Sequence, residues 1–133
     1  MTKISLICLL ALLFIFPMVG CGGSESTPVN LQNQSPSLTI AENFVKNSPT
    51  YKFDGIPETF KLSDTVPMGN RTQYVFEFDC RHPGYGDRTG QVLTQVIEHH
   101  VAMIIIENEQ VISGIIDARW DMIHQKDLNP RGT

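Results

Sequence analysis

A chain of 133 residues has room for one domain, and with ten Lys and Arg against fourteen Asp and Glu its net charge is −4. The balance is acidic, and no basic run alternates with aromatic residues, which excludes tracking a nucleic-acid backbone. Neither length nor composition selects an activity.

Near its start the chain carries Lys3, an apolar run over residues 4–16 broken only by Ser5, and then Pro17-Met18-Val19-Gly20-Cys21. A basic start, an apolar centre and small residues before a cut site make a secretory leader. The ending resembles the lipobox of prokaryotic lipoprotein signal peptides, with Gly20 before the cysteine and Met18 where that family prefers Leu. The resemblance implies that residues 1–20 are a signal peptide, that Cys21 is lipidated on its thiol and becomes the mature N-terminus, and that the chain is membrane-anchored outside the cytoplasm. The competing reading, a transmembrane helix, falls short of the roughly 20 residues a bilayer needs, and Pro17 would break its end. A single acyl chain binds only marginally, at about 0.8 kcal/mol per buried methylene, so a stable anchor takes two or three. With Cys8 in the leader and Cys21 acylated, Cys80 is left without an internal disulfide partner.

Residues 21–37 are poor in apolar side chains and rich in turn formers, which predicts a flexible tether with a reach of roughly 20 Å. Asn33 and Asn70 stand in glycosylation sequons, relevant only in a cell with the transferase. A single domain is expected over 38–133. Thr39 and Glu42 have capping-box spacing, and Ile40, Ala41, Phe44 and Val45 form one helical stripe that Pro49 ends. The alternation of Tyr51 and Phe53 with Lys52 and Asp54, followed by Asp54-Gly55, predicts a first hairpin through Phe60 and Leu62. Residues 64–71 read as a surface loop.

In Tyr74 to Arg81 the apolar Tyr74, Phe76, Phe78 and Cys80 share one side of a strand, opposite Glu77, Asp79 and Arg81. Cys80 is thereby expected to be a small buried hydrophobe. A glycine-rich loop, His82 to Gln91, then leads into Val92 to Glu107, whose later part, Val101 to Ile106, is apolar on both faces and predicts a central strand. A two-residue turn at Asn108-Glu109 would set Ile106 against Val111, Ile104 against Ser113, Ala102 against Ile115, His100 against Asp117 and Glu98 against Arg119.

These elements predict an α+β fold, one short N-terminal helix packed on an antiparallel sheet of four or five strands. The element order is similar to the cystatin-like arrangement, without any inhibitory motif of that family. Residues 82–97 together with Asp117 to Asp121 also resemble small uncharacterised lipoproteins of anaerobic bacteria and archaea, a likeness that carries no activity.

Several groups bear on chemistry. Gly84, Gly86 and Gly90 suggest an anion-cradling loop, but their spacing fits neither nucleotide fingerprint. The bland alternative is a loop needing positive φ, anchored by Tyr85, with Asp87 and Arg88 solvated or locally paired. His82, His99, His100, Asp79 and Asp117 suggest a metal, yet His99 and His100 point to opposite strand faces and cannot share one ion. A Cys80–His82 dyad would need Cys80 to leave the core. Glu98, Asp117 and Asp121 offer carboxylates without a marked pocket, and Trp120 is expected to close the core rather than stack on a ligand. The expectation is a non-enzymatic binding or accessory module using His82, Tyr85, Asp87 and Arg88 toward an envelope protein or small ligand, with no cofactor or metal. The alternative is a small metal-dependent or hydrolase-like enzyme built on His100, Asp117 and the 82–91 loop.

Overall fold

The computed structural model describes residues 34–130. The expected signal peptide, Cys21, Asn33 and most of the expected tether lie outside the described residues. Helix α1 (Pro36–Lys46) starts two residues inside the expected tether, with Ser35 at its N-cap position and proline at its start, a favoured first position because proline has no amide to leave unpaired. The Thr39–Glu42 capping box is not its beginning, since Thr39 already donates its amide to the Ser35 carbonyl. Glu42 instead pairs with Lys46 one turn on.

The expected first hairpin is absent. Residues 49–54 form a second helix, α2 (Pro49–Asp54), in which Ser48 caps the Tyr51 amide. Pro49, expected only to stop α1, sits at the first turn of α2, because Ser-Pro is as good a start signal as a stop signal. A 3-10 turn (Pro57–Thr59) follows. Strand β1 (Lys61–Met68) includes Leu62, where a strand was expected, and continues through most of the expected 64–71 loop. It carries no buried face for periodicity to reveal, and as an edge strand it tolerates Pro67.

Strands β2 (Arg71–Cys80), β3 (Glu98–Glu107), β4 (Gln110–Ile116), β5 (Trp120–Asp121) and β6 (Lys126–Asp127) complete an open antiparallel sheet in chain order. The α+β class is as expected, but the sheet has six strands rather than four or five. β5 and β6 are two residues each, too short for hydrophobic patterning to detect. β3 lies between β2 and β4, as its apolar run predicts, yet it begins at Glu98. Residues 92–97 stay outside it because β2 ends at Cys80, opposite Glu98, and offers them no partner.

One face is core. Ala41 and Val45 of α1 meet Tyr74, Phe76, Phe78 and Cys80 of β2, Ala102, Ile104 and Ile106 of β3, and Ile116 and Met122, all buried. Tyr51 of α2 sets its ring edge-on to Phe60 and Phe78, at 5.4 and 5.2 Å between centroids. On the other face Val75, Val101, Met103 and Ile115 are half-buried by their neighbours in the sheet.

The β3–β4 turn forms at Asn108-Glu109, both at positive φ (48° and 58°), with Ile106 opposite Val111. Beyond it the expected register fails by one residue. Ile105 pairs with Ser113 and Ala102 with Ile116, so Ile112 is the extra residue of a β-bulge. The bulge puts Ile116 rather than Ile115 into the core. It also puts Gly114 under α1, where a Cβ would lie 2.6 Å from Phe44 Cε1.

Candidate functional site

The β2–β3 connection runs through residues 81–97, and its first part is fastened to the body of the domain at two places. Each fastening is a histidine–aspartate pair with a loop side chain added.

At the first, Asp54 at the end of α2 has a side chain only 7% exposed and accepts from two loop residues: Arg88 Nη2 at 2.6 Å and His82 Nδ1 at 2.8 Å. Arg88, equally buried, also donates to the Gly84 carbonyl and lies 4.7 Å over the Phe53 ring. A buried guanidinium requires a carboxylate and further acceptors, and α2 supplies the carboxylate. Gly86 donates its amide to Thr50 Oγ1 at 2.8 Å. The outer nitrogen of His82, Nε2, meets Gln95 Nε2 at 2.9 Å.

The second fastening is centred on His100, which is fully buried. Its Nδ1 lies 2.7 Å from Asp117 Oδ2, to which the Tyr85 hydroxyl also donates at 3.0 Å. The other oxygen, Oδ1, accepts the Val101 amide at 2.8 Å, while the Asp117 amide donates to the Val101 carbonyl. Asp117 therefore closes the β3 ladder with its own side chain. It can do so because it leaves β4 at φ 54°, and this conserves the His100–Asp117 contact despite the slipped register. The expected Glu98–Arg119 pair does not form. Glu98 accepts the Gly84 amide at 2.7 Å, with Oε2 3.8 Å from His100 Nε2, and Arg119 pairs with Asp127.

Tyr85 stacks flat on Trp120, with 5.5 Å between ring centroids and 9° between planes, and tilts against His100 at 5.5 Å. Trp120 thus closes the core under the loop rather than beside α1. Burial, then the Asp117 carboxylate, pushes the Tyr85 hydroxyl far above the usual tyrosine range. Burial also pulls the Asp117 carboxyl up, but hydrogen bonds from His100, the Val101 amide and Tyr85 outweigh it and leave the group below the usual carboxylate range.

Of the four residues expected to present the loop, Tyr85 and Arg88 are turned inward, His82 is half-buried, and Asp87 alone is exposed. Asp87 accepts the Thr89 amide and hydroxyl, which hold its carboxyl low. Gly84, Gly86 and Gly90 do adopt positive φ, but the amides of Gly84 and Gly86 are spent on Glu98 and Thr50, so an anion would have to displace both. His99 pairs with Asp79 on the open sheet face and His124 with Asp121. Among the described residues, no three His, Cys, Asp or Glu side chains converge as a metal site. The His100–Asp117 dyad is assembled, but its imidazole is sealed beneath Tyr85 and meets no solvent, while the partly exposed Asp117 carboxylate is taken up by the donors that hold the loop down. Sequence reasoning missed Asp54 and Thr50, which it placed on a strand. The signal was Arg88 itself, a cation in an otherwise small-residue loop.

Cys80 is buried on the core face. Burial, with Asp54 nearby, pushes its thiol up to about 12. The thiolate is the reactive form, so a polar thiol reagent is expected to leave Cys80 unmodified in the native protein and to label it once the protein is denatured. Rapid native labelling would contradict the packing of β2.

What remains outward at this end is the second part of the connection. Val92, Val96 and Ile97 are 104%, 53% and 65% exposed. A shallow depression of about 550 Å³ lies nearby, lined by Pro49, Lys52, Phe53, Asp87 and Thr89. No protein-family model, curated protein or solved structure matches this chain.

Proposed function

We propose that the chain is a lipid-anchored extracytoplasmic lipoprotein whose α+β domain is a non-enzymatic binding or accessory module. The observation that carries the binding role is the division of the β2–β3 connection. Its loop is latched by Asp54 and Asp117, while the next residues hold three aliphatic side chains out in water. A rigid body that displays apolar side chains on a connecting segment is suited to contact a partner. The anchoring role rests on the Gly20-Cys21 ending after its apolar run. Among the described residues no helix is long and apolar enough to cross a membrane, and attachment is assigned to the acylated cysteine.

Cys21→Ser is expected to accumulate as a full-length precursor with residues 1–20 still attached, because the thiol is both the lipid acceptor and part of what the peptidase recognises. Immunoblotting of cell fractions reads the size difference directly. Normal trimming and normal partition into detergent by the variant would reject the anchor.

A further inference from the structure

We infer that His100 is a buried proton site that tightens the 82–91 loop as pH falls, by drawing Glu98 onto its Nε2 while Glu98 holds the Gly84 amide. Three observations carry it, and none depends on an anchor or on a binding partner.

The first is the tautomer. His100 is fully buried, with Nδ1 2.7 Å from Asp117 Oδ2. The hydrogen bonds Asp117 receives keep its carboxyl below the usual range, so it is ionised at neutral pH. An ionised carboxylate only accepts, which assigns the ring proton to Nδ1. In the neutral ring Nε2 is then a bare lone pair.

The second is what that lone pair faces. Among the described residues Nε2 has no hydrogen-bond partner, and Glu98 Oε2 lies 3.8 Å from it. Two acceptors turned toward each other at a buried nitrogen are unfavourable. A proton on Nε2 converts the same contact into a charge-assisted hydrogen bond, leaving the imidazolium with a carboxylate on each nitrogen. Glu98 is partly exposed, so it can move toward the ring and gives the proton a path from solvent.

The third is charge. The ring is faced by Glu98 of β3, by Asp117 after β4, by Tyr85 of the loop and by the Phe78 ring of β2. Cys80, opposite Glu98 on β2, keeps its proton, its thiol being pushed up to about 12. Among the described residues no Lys or Arg pairs with Asp117 or Glu98. Arg119 acts on Glu98 and Tyr85 only from a distance and is paired with Asp127. With a neutral ring, two carboxylates therefore flank the site without a cation, and protonation of His100 supplies one. The other fastening has no such imbalance, because Arg88 already matches Asp54.

Glu98 Oε2 accepts the Gly84 amide at 2.7 Å, so its attraction to the ring is passed to the loop. A proton that binds the fastened loop more tightly than the loosened one favours fastening by the same factor. The loop is tightest in mild acid and loosens as pH rises through the range in which histidine changes charge, about pH 5 to 8.

The test is amide exchange of the purified protein across that range, read as the ratio of Gly84 to Gly86 protection so that the common pH dependence of exchange cancels. Gly86 is the reference because its amide bonds to the Thr50 hydroxyl, which does not titrate there. In the wild type the ratio is expected to fall about tenfold from pH 5 to 8. Over the same titration the imidazole nitrogen shifts of His100 should show Nε2 losing a proton while Nδ1 keeps its own. Glu98→Gln, whose amide donates to a neutral Nε2 and whose carbonyl still accepts from Gly84, should hold the ratio within about twofold. His82→Gln, which removes the other histidine on the loop, should keep the wild-type response. A His100 ring in one protonation state throughout, a constant wild-type ratio, a wild-type response in Glu98→Gln, or loss of the response in His82→Gln would each overturn the inference. The two wild-type readings decide it without any variant.

Discussion

Asp117→Asn is expected to lower the unfolding free energy by about 3 kcal/mol at neutral pH, because it removes one partner from a pair whose other member is buried. The carboxylate serves three donors, His100 Nδ1, the Tyr85 hydroxyl and the Val101 amide. Asparagine can still accept the amide proton, and it tolerates the positive φ of 54° at this position, so the backbone is not strained by the change. Its NH₂ group, however, opposes donors on the other side. The effect has a defined pH dependence. The Asp117 carboxyl titrates below its ordinary value in the folded protein. Its contribution is therefore complete above the unfolded carboxyl pKa of about 3.9 and is lost as pH falls through the lower folded value. Urea unfolding of wild type and variant should differ most at neutral pH and converge in strong acid, where the wild-type carboxyl is itself protonated. A difference under about 1 kcal/mol at pH 7 would mean that the pair behaves as an exposed surface pair.

Arg88→Met is expected to cost more, about 3–5 kcal/mol, since it removes the guanidinium from Asp54, a buried carboxylate left with the His82 ring beside it. It also removes the donor to the Gly84 carbonyl, and with it the latch of the 82–91 loop on α2. Unfolding should therefore be accompanied by a local effect, faster proteolytic cutting within residues 81–97 under native conditions. Adding Asp54→Asn should recover part of the loss, because the orphaned charge is then gone. A loss in the double variant equal to the sum of the two single-variant losses would show that the two groups do not interact.

Much of this molecule was legible in the order of its residues, and the exceptions have identifiable causes. The facing of β2 follows from alternation, which assigned Cys80 to the core; His99 and His100 were legible as opposite in facing, but the His100–Asp117 pair was expected at the wet end of the hairpin, whereas His100 is fully buried. The Asn108-Glu109 turn followed from its position between two apolar runs. What alternation cannot see is an inserted residue, so the bulge at Ile112 displaced every pair beyond Ile106. The short helix α2 was misread because Tyr51 and Phe53 alternate with charged residues over a stretch too short to separate a period of 2 from one of 3.6. Strand β1 escaped notice because an exposed edge has no apolar face. The loop was recognised as the place of interest, but its polar side chains were assigned outward. A guanidinium is assigned to solvent unless its carboxylate is known, and Asp54 lies 34 positions away in the chain. His100 and Asp117 were paired for a reason that proved incomplete: the ladder slips, and the turn at Asp117 restores the contact.

Amide hydrogen exchange of the purified protein directly distinguishes the latched loop from the exposed segment that follows it. Slow exchange is predicted for Gly84 and Gly86, whose amides bond to Glu98 and Thr50, and for the β3 amide of Val101. Near-unprotected exchange is predicted for Val92, Leu93, Thr94, Gln95 and Ile97. If Gly84 and Gly86 exchange as fast as Val92, the loop is not fastened and becomes the working surface itself. If residues 92–97 are as protected as the loop, they are part of the body, and the proposed module surface does not survive.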